Sequence, residues 1–278
     1  MLLRFYQKLR GRDDSDPCLY IFPFSLHSIM VQFTIALALR NKSQSSRELG
    51  RIKYRLVNLH RNENLSEDYL VHVNPRGKVR SKGIDTVPAL TAKSIPAPLT
   101  DSLSISYWVC EQHPSLIPET HRTTIQRLLS QLHRIQADNN PNPAVDDILA
   151  RTDISLEHRR ALEHKRYCDR KQIEPDFDNA HEEGMTDQAR HLFCEVVVEF
   201  QKVNHSGVWI FGDETGPTVL DAHIVAFIAR LIDIHLEDLV PPQLHTYAKA
   251  IMELPEWEAV MQGMPTVWNP SLGPINQL

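Results

Sequence analysis

Two short stretches of the chain carry residues that suit the binding of a small peptide with a carboxylate group. Asp101 and Ser102 precede an apolar segment, which is the usual pattern of a helix start. A helix start offers unpaired backbone N–H groups and the positive end of the helix dipole to an anion. Val87 and Pro88 lie in an extended segment upstream, whose backbone can pair with the amides of a bound peptide. We therefore expect the two stretches to form one binding site.

A structural interpretation of the same residues stays open at this point. Pro88 can lie at the edge of a sheet, where its missing N–H is not needed, and Thr100, Asp101 or Ser102 can simply cap the helix. A second capping pattern, from Thr218 to Asp221, opens the most regular helical pattern in the chain and matches an S/T-x-x-D box. For Thr218 and Asp221 we expect a role in folding rather than in chemistry.

The first half of the chain has alternating strand and helix patterns that would position Val87 and Asp101. Short apolar runs predict strands, and apolar residues three or four apart predict helices. The predicted strands cover residues 19–22, 54–59, 87–90 and 95–99, and the predicted helices cover residues 29–39, 66–70 and 103–110. The order β-α-β-α-β-β-α is that of a thioredoxin-like sheet. We place this α/β domain at residues 18–116, after an N-terminal extension of residues 1–17.

The second half of the chain is predicted to be helical. Apolar stripes at helical spacing cover residues 121–136, 191–203, 218–232 and 244–251. The intervening residues 138–186 are polar with weak periodicity, and they receive no assignment from the sequence. We place an all-α domain at residues 120–278, joined to the α/β domain by a short proline-containing linker.

Composition excludes several classes of protein. The chain has 278 residues, enough for two domains, and a formal net charge of −5. It lacks the clustered Lys and Arg residues of a nucleic-acid-binding surface. No signal peptide or bilayer-spanning run is recognisable, so we expect a cytoplasmic protein without membrane attachment. The cysteines form no C-x-x-C pair and predict neither a zinc site nor a disulfide framework; they are Cys18, Cys110, Cys168 and Cys194.

The 14 histidines show no spacing that is typical of a metal site. His121, His133, His158 and His164 fall on the polar faces of predicted segments, and no H-x-x-x-H pattern with a suitable carboxylate partner occurs. Glycine-rich phosphate-binding motifs are missing as well, so a nucleotide cofactor is not expected. We expect no bound metal ion.

The α/β half, the helical half and the residue pairs described above together resemble the cytosolic glutathione transferase superfamily. The resemblance is to its fungal-type, serine or zeta-like members and covers most of the chain. It implies that glutathione is the bound peptide and that the Val87–Pro88 bond is cis. It also implies that Val87 pairs with the cysteinyl part of glutathione, and that Asp101 and Ser102 hold its γ-glutamyl end.

The same resemblance implies two further contacts to glutathione. Residues 74–79 are similar to the turn that leads to the family's proline, and Lys78 is the basic residue expected to reach the glycyl carboxylate. Arg76 and Lys82 are alternatives, because residues 80–86 look like an insertion. His27, at the start of the first helix, is also expected to contact glutathione.

Activation of the glutathione thiol is implied at the start of the first helix. Superfamily members place a Ser, Cys or Tyr there, and this chain offers Ser25 and Ser28. Ser28 lies nearest the catalytic serine when the helix is compared with zeta-like members. A free thiol has a pKa of about 8.5, and a hydroxyl that donates to sulfur at a helix start lowers that pKa. Either serine can instead be an ordinary helix cap.

The implied activity is addition of the glutathione thiolate to a small hydrophobic electrophile. If the adduct is kept, the reaction is conjugation; if the addition is reversed on a conjugated alkene, the result is cis–trans isomerisation. A role in secondary metabolism and a homodimeric assembly are further expectations from the resemblance. The alternative is a non-catalytic interaction module similar to the one in the elongation factor gamma subunit.

Overall fold

A small mixed sheet organises the first part of the molecule. The computed structural model describes residues 16–40, 47–75, 87–135, 142–173, 181–203 and 207–274. Its strands are β1 (Cys18–Ile21), β2 (Lys53–Leu56) and β3 (Ala89–Thr91), in the order β2-β1-β3. Strand β1 pairs in parallel with β2 and antiparallel with β3. The central strand is fully buried, as expected for a strand covered on both faces.

Two helices flank this sheet. Helix α1 (Leu26–Arg40) makes the crossover that the parallel β1–β2 pair requires, and α2 (Ser102–Gln112) packs beside it. Almost every side of α1 is buried, because α1 also contacts two helices from the second part of the chain. This position explains why α1 is apolar nearly all round rather than amphipathic. The start of α1 therefore lies where the two parts of the molecule meet.

The first part of the chain differs from the prediction at one predicted strand and at one predicted helix. Residues 95–99, predicted as a strand, contribute only a bridge between Leu99 and Leu90. Pro96 and Pro98 explain the difference, because they have no N–H groups to donate to a neighbouring strand. The short helix expected near residues 66–70 is a single π-helical turn, Tyr69–Val73.

The second part of the chain consists of helices. Three predicted helices are confirmed within a residue or two at their ends. A fourth, α6 (His181–Gln201), begins ten residues before the predicted start. The valine run at residues 196–198 lies inside α6, where Val196 is buried and its packing outweighs low helix propensity. The helices are α3 (Arg122–Ile135), α6 (His181–Gln201), α7 (Val219–Asp233), α8 (Pro242–Met252) and α9 (Pro255–Met261).

Two helices occupy the region that had no assignment from the sequence. They are α4 (Ala144–Leu149) and α5 (Leu156–Ile173), and α5 packs against the π-helical turn of the first part. His158 lies in this contact, with its Nε2 atom 2.8 Å from the carbonyl oxygen of Leu65. His158 is therefore buried, which corrects its predicted place on a polar face. Few apolar residues of α4 and α5 take part in such contacts, so the apolar residues of this region do not form a clear helical pattern in the sequence.

None of the helices in the described part of the chain is both long enough and apolar enough to cross a bilayer.

Candidate functional site

The start of α2 is built by Asp101. Its backbone is extended, and its Oδ1 atom accepts a hydrogen bond from the backbone N–H of Ser104 at 2.8 Å. Asp101 is thus the N-cap of α2, as the structural interpretation of this residue anticipates. Ser102, the first residue of the helix, is buried.

The backbone places this helix start beside the cis-proline. The Val87–Pro88 peptide bond is cis, and strand β3 begins at the next residue. Leu90 and Leu99 exchange two backbone hydrogen bonds, of 2.8 Å and 2.9 Å. Pro88 lies two residues before Leu90 and Asp101 lies two residues after Leu99, so this bridge brings the cis-proline segment close to the start of α2. The two stretches that the sequence predicts to share one site are therefore brought together.

Thr100 supplies a polar atom that the fold leaves unsatisfied. Its Oγ1 atom is buried and has no hydrogen-bond partner among the described residues. Buried hydroxyl groups usually have a hydrogen-bond partner, so one without a partner calls for an explanation, and a ligand that supplies the partner is one such explanation. Thr100 was not among the predicted ligand-binding residues, although it directly precedes Asp101.

The two candidate serines both support the turn between β1 and α1. The Ser28 N–H donates to Ser25 Oγ at 3.3 Å, which makes Ser25 the cap of α1. The Phe22 N–H donates to Ser28 Oγ, also at 3.3 Å. Ser28 has no exposed surface, and Ser25 is 5% exposed. Both serines thus have structural contacts, and Ser25 is the more accessible of the two.

His27 lies between the two serines and is the outer member of a line of polar side chains. Its ring centroid is 5.7 Å from that of His133 on α3, with an angle of 30° between the ring planes. His133 Nε2 is 3.0 Å from His223 Nδ1, and His223 Nε2 is 2.9 Å from Ser106 Oγ. We call these four residues the histidine column. It connects α1, α3, α7 and α2.

The inner histidines of the column are held in the neutral form. Burial, reinforced by the nearby His27, lowers the pKa of His133 to about 3. Burial also lowers the pKa of His223 well below its ordinary value, and the neighbouring histidines act in the same direction. His223 and Ser106 have no exposed surface, whereas His27 is partly exposed. The column therefore runs from an accessible end at His27 to a dry end at Ser106.

The contact of His133 with His223 corrects the prediction that His133 lies on a polar face. His133 is four residues after Leu129, so the two side chains share one face of α3. That face packs against α7. The spacing was a signal that could have placed His133 near the interface, but the identity of its partner was not readable from the sequence.

The start of α7 has the capping box that the sequence predicts. Thr218 accepts from the backbone of Asp221, and Asp221 Oδ2 accepts from the N–H and hydroxyl of Thr218 at 2.8 Å and 2.6 Å. Asp221 Oδ1 accepts from Ile210 N–H at 3.0 Å and from Tyr247 hydroxyl at 2.8 Å. Burial raises the pKa of Asp221, and these donors oppose that shift. Because both oxygens of the carboxylate accept hydrogen bonds from donors within the fold, Asp221 is satisfied internally.

Arg230 on α7 and residues near the C-terminus lie beside the turn that precedes α1. Arg230 Nη2 donates to the carbonyl oxygens of Phe24 and Thr266, at 2.8 Å and 2.7 Å. The ring of Phe22 is 5.3 Å from that of His60, which in turn is 6.0 Å from the ring of Trp268. The start of α1 is thus fixed in place and has aromatic rings beside it.

Lys78, with its alternatives Arg76 and Lys82, lies outside the described residues. Among the residues that the structure describes, no group of three or more His, Cys, Asp or Glu side chains is placed to hold a metal ion.

No protein-family model and no curated protein matches this chain. Solved structures do match. A maleyl pyruvate isomerase, described as a bacterial zeta-class glutathione S-transferase, superimposes with a TM-score of 0.52 at 19% identity, over 87% of this chain and 95% of that one. Maleylacetoacetate isomerase from Anaeromyxobacter dehalogenans 2CP-1 gives 0.51 at 18% identity, over 95% and 96%. A glutathione S-transferase from the Antarctic clam Laternula elliptica gives 0.52 at 17%, over 90% and 93%.

The chain has the glutathione transferase fold. The predicted class, an α/β thioredoxin-like domain followed by an all-α domain, is confirmed. In this fold, the hydrogen bond from the Phe22 N–H to Ser28 Oγ joins the start of α1 to the end of β1, and the bridge between Leu90 and Leu99 brings the cis Val87–Pro88 segment close to the start of α2. These positions define the candidate site.

Proposed function

We propose that this chain is a glutathione-dependent enzyme that activates the thiol of glutathione for addition to a small hydrophobic electrophile. The observation that carries the proposal is the bridge between Leu90 and Leu99, which brings the segment before α2 alongside the strand that follows the cis Val87–Pro88 bond, in a chain with the glutathione transferase fold. A structural neighbour from Sulfitobacter, with a TM-score of 0.50 at 16% identity, is described as having bound glutathione. That neighbour supports glutathione as the ligand.

The γ-glutamyl end of glutathione is assigned to the start of α2. Backbone N–H groups of the first turn and the Ser102 hydroxyl would bind its carboxylate, and the Asp101 carboxylate would face its ammonium group. The unsatisfied Oγ1 atom of Thr100 offers one further hydrogen bond to the same end of the ligand. Val87 would pair with the cysteinyl amide, and Lys78 is proposed for the glycyl carboxylate.

The thiol is assigned to the start of α1. Ser25 and Ser28 remain the two candidates for donating a hydrogen bond to sulfur, and we favour Ser25 because Ser28 has no exposed surface. The positive end of the α1 dipole stabilises a thiolate in the same place. Only a few per cent of a free thiol is ionised at neutral pH, so this stabilisation would raise the concentration of the reactive form.

Two reactions fit an activated thiolate, and two structural neighbours favour testing isomerisation as well as conjugation. Their names are maleyl pyruvate isomerase and maleylacetoacetate isomerase. In conjugation the thiolate adds to the electrophile and the adduct leaves. In isomerisation the thiolate adds to a conjugated alkene, the new single bond rotates, and elimination regenerates glutathione. Neither reaction requires a metal ion, and a role in secondary metabolism is compatible with both.

The test combines binding with turnover. We expect the protein to be retained on immobilised glutathione, to release when glutathione is added, and to lower the pKa of the bound thiol. Turnover is then measured with an aryl halide for conjugation and with maleylpyruvate for isomerisation. Retention without a shifted thiol pKa and without turnover would favour an interaction module similar to that of the elongation factor gamma subunit. No retention and no binding by calorimetry would reject the proposal.

The assembly is a separate part of the proposal. We infer a homodimer from the resemblance to the superfamily, and sedimentation of the purified protein tests it directly. A single species at the monomer mass of about 32 kDa, at concentrations used for the assays, would contradict the homodimer without affecting the glutathione site.

A further inference from the structure

Ionisation of a thiol releases a proton, which passes either to solvent or to a side chain beside the sulfur. A serine hydroxyl can donate a hydrogen bond to the sulfur atom, but it is not a base at neutral pH. The imidazole of a histidine is the side chain best suited to accept a proton in this range. His27 lies two residues after Ser25 and one before Ser28, in the first turn of α1. It is therefore on the element to which the thiol is assigned.

The position of His27 within the histidine column also suits proton transfer. His27 is partly exposed, whereas the far end of the column at His223 and Ser106 is completely buried. His133 is also partly exposed, so a ligand that enters from solvent can reach the column at His27 and His133 but not at His223 or Ser106. The contact between the rings of His27 and His133 fixes the side of α1 on which the His27 imidazole lies.

The two hydrogen bonds that join Ser106, His223 and His133 must have the same donor-to-acceptor direction along the column. A neutral His223 carries one proton on its ring, so it donates at one nitrogen and accepts at the other. If Ser106 donates to His223, then His223 donates to His133; if His133 donates to His223, then His223 donates to Ser106. Either arrangement fixes the ring orientation of both inner histidines. His133 is thus a rigid surface against which His27 rests.

The neutral state of the inner histidines matters for the charge that His27 would acquire. A cationic His133 at a ring distance of 5.7 Å would repel a cationic His27. Burial keeps His133 neutral at physiological pH, so this repulsion is missing. A positive charge that formed on the His27 ring would therefore not be opposed by a second charge on His133.

We propose that His27 is the base that accepts the proton of the glutathione thiol, and that His133, His223 and Ser106 position its imidazole. This inference rests on the proposed function and deepens it. In the step, the S–H bond breaks and its electron pair stays on sulfur, while an N–H bond forms on the His27 ring. When the thiolate adds to an alkene, the imidazolium returns the proton to the atom that gained negative charge; when it displaces the halide of an aryl halide, the halide ion leaves with its electron pair and the imidazolium releases the proton to solvent. Neutral His27 is then restored.

The first experiment removes the base and supplies it from solution. We expect His27→Ala and His27→Gln to bind glutathione within about threefold of the unchanged protein and to lose about 100-fold in turnover. Added imidazole should raise the turnover of His27→Ala by at least about tenfold, because the small ring can occupy the vacated space. The same addition should not affect His27→Gln, whose longer side chain fills that space. A matched control is His245→Gln on α8, a partly exposed histidine outside the column, and it should keep full turnover.

The positioning residues need a readout that a general loss of stability would not imitate. Ser106→Ala and His133→Gln should lower kcat by about tenfold while leaving the KM for glutathione nearly unchanged, because they disturb only the orientation of His27. Imidazole should not rescue them, since His27 is still present. A parallel loss of folded protein, measured by circular dichroism, would identify a structural effect.

A measurement on the unchanged protein keeps the inference testable if the variants fail to fold. In NMR spectra of the histidine side chains, the His27 ring should become protonated when glutathione binds and the ultraviolet band of the thiolate appears. S-methylglutathione, which has no thiol proton, should bind without protonating His27. Thiolate formation without protonation of His27, or full turnover in His27→Gln, would overturn the assignment of the base. Those results would leave the proposed function standing, whereas no glutathione binding by the unchanged protein would remove both.

Discussion

The starts of α7 and α2 have similar residues, but they differ in whether their buried polar groups have hydrogen-bond partners. At α7, Thr218 and Asp221 bind each other, and the carboxylate accepts from two further residues. At α2, Asp101 also caps its helix through one oxygen, but the hydroxyl oxygen of Thr100 beside it is buried without a partner in the described part of the chain. One helix start is satisfied internally, and the other is not.

The difference shows how to separate a structural cap from a binding site when the motifs look alike. A fully bonded buried carboxylate has nothing left to offer a ligand, and its removal affects folding. A helix start with an unsatisfied polar atom retains hydrogen-bonding capacity, and its alteration should affect a ligand more than the fold. The predictions below test this division at each helix start.

The largest effect is expected for Asp221→Ala at α7. A capping box alone contributes about 0.5–2 kcal/mol. Here the substitution also removes the acceptor for Ile210 and Tyr247, so we expect a loss of about 3–5 kcal/mol in the free energy of unfolding. Urea denaturation measures it, with the exposed Asp238→Ala as a control that should be nearly neutral. Unfolding parameters equal to those of the unchanged protein would show that α7 does not depend on this cap.

Ser102→Ala at α2 should have the second-largest effect, and on binding instead of folding. Loss of one charge-assisted hydrogen bond to the γ-glutamyl carboxylate is expected to weaken glutathione binding by about 1.5–3 kcal/mol. Calorimetry measures the dissociation constant, and Ser104→Ala, two residues along the same helix, provides the matched control. If both variants bind glutathione like the unchanged protein, the carboxylate is bound elsewhere.

The stability of the protein should depend on pH through His133 on α3, whose ring lies beside that of His27 at the start of α1. In the folded protein the pKa of His133 is lowered to about 3 from an ordinary value of 6.5, by burial and by His27. Below about pH 6.5 the unfolded chain therefore binds more protons than the folded one. Stability from this residue is fully present above pH 6.5 and is lost progressively as the pH falls toward 3. His223, whose pKa is also lowered, acts in the same direction.

The expected size of this pH effect is moderate. Between pH 7.5 and pH 5, His133 should account for a loss of about 1–2 kcal/mol in unfolding free energy. His133→Gln should show a flatter dependence over the same interval, while His245→Gln should retain the dependence of the unchanged protein. Denaturant midpoints at four or five pH values supply the comparison. Identical slopes for the unchanged protein and His133→Gln would mean that His133 is protonated to the same extent in both states.

Local patterns and distant contacts were predictable to different degrees. The capping box of Thr218 and Asp221 was readable because its residues lie three apart and its geometry is set within one helical turn. The contact between His133 and His223 was not readable, because the two residues are 90 positions apart and meet only after α3 packs on α7. Helix α5 was missed for a related reason, since only a narrow stripe of it is apolar.

The smallest effect is expected for Thr100→Val, and it addresses the comparison most directly. Valine has nearly the shape of threonine but no hydroxyl, so the substitution removes an oxygen that has no partner among the described residues. We expect the free energy of unfolding to change by less than about 0.5 kcal/mol, or to rise slightly, because a buried polar group without a partner is itself unfavourable.

The matched variant at α7 is Thr218→Val. It removes a hydroxyl that donates to Asp221 and accepts from its backbone, so it should destabilise the protein by about 2 kcal/mol. Glutathione affinity should respond in the opposite order, with Thr100→Val weakening binding and Thr218→Val leaving it unchanged. Equal losses of stability in the two variants would show that Thr100 is bonded in solution. The start of α2 would then be a satisfied cap like that of α7, and glutathione would have to be bound by other groups.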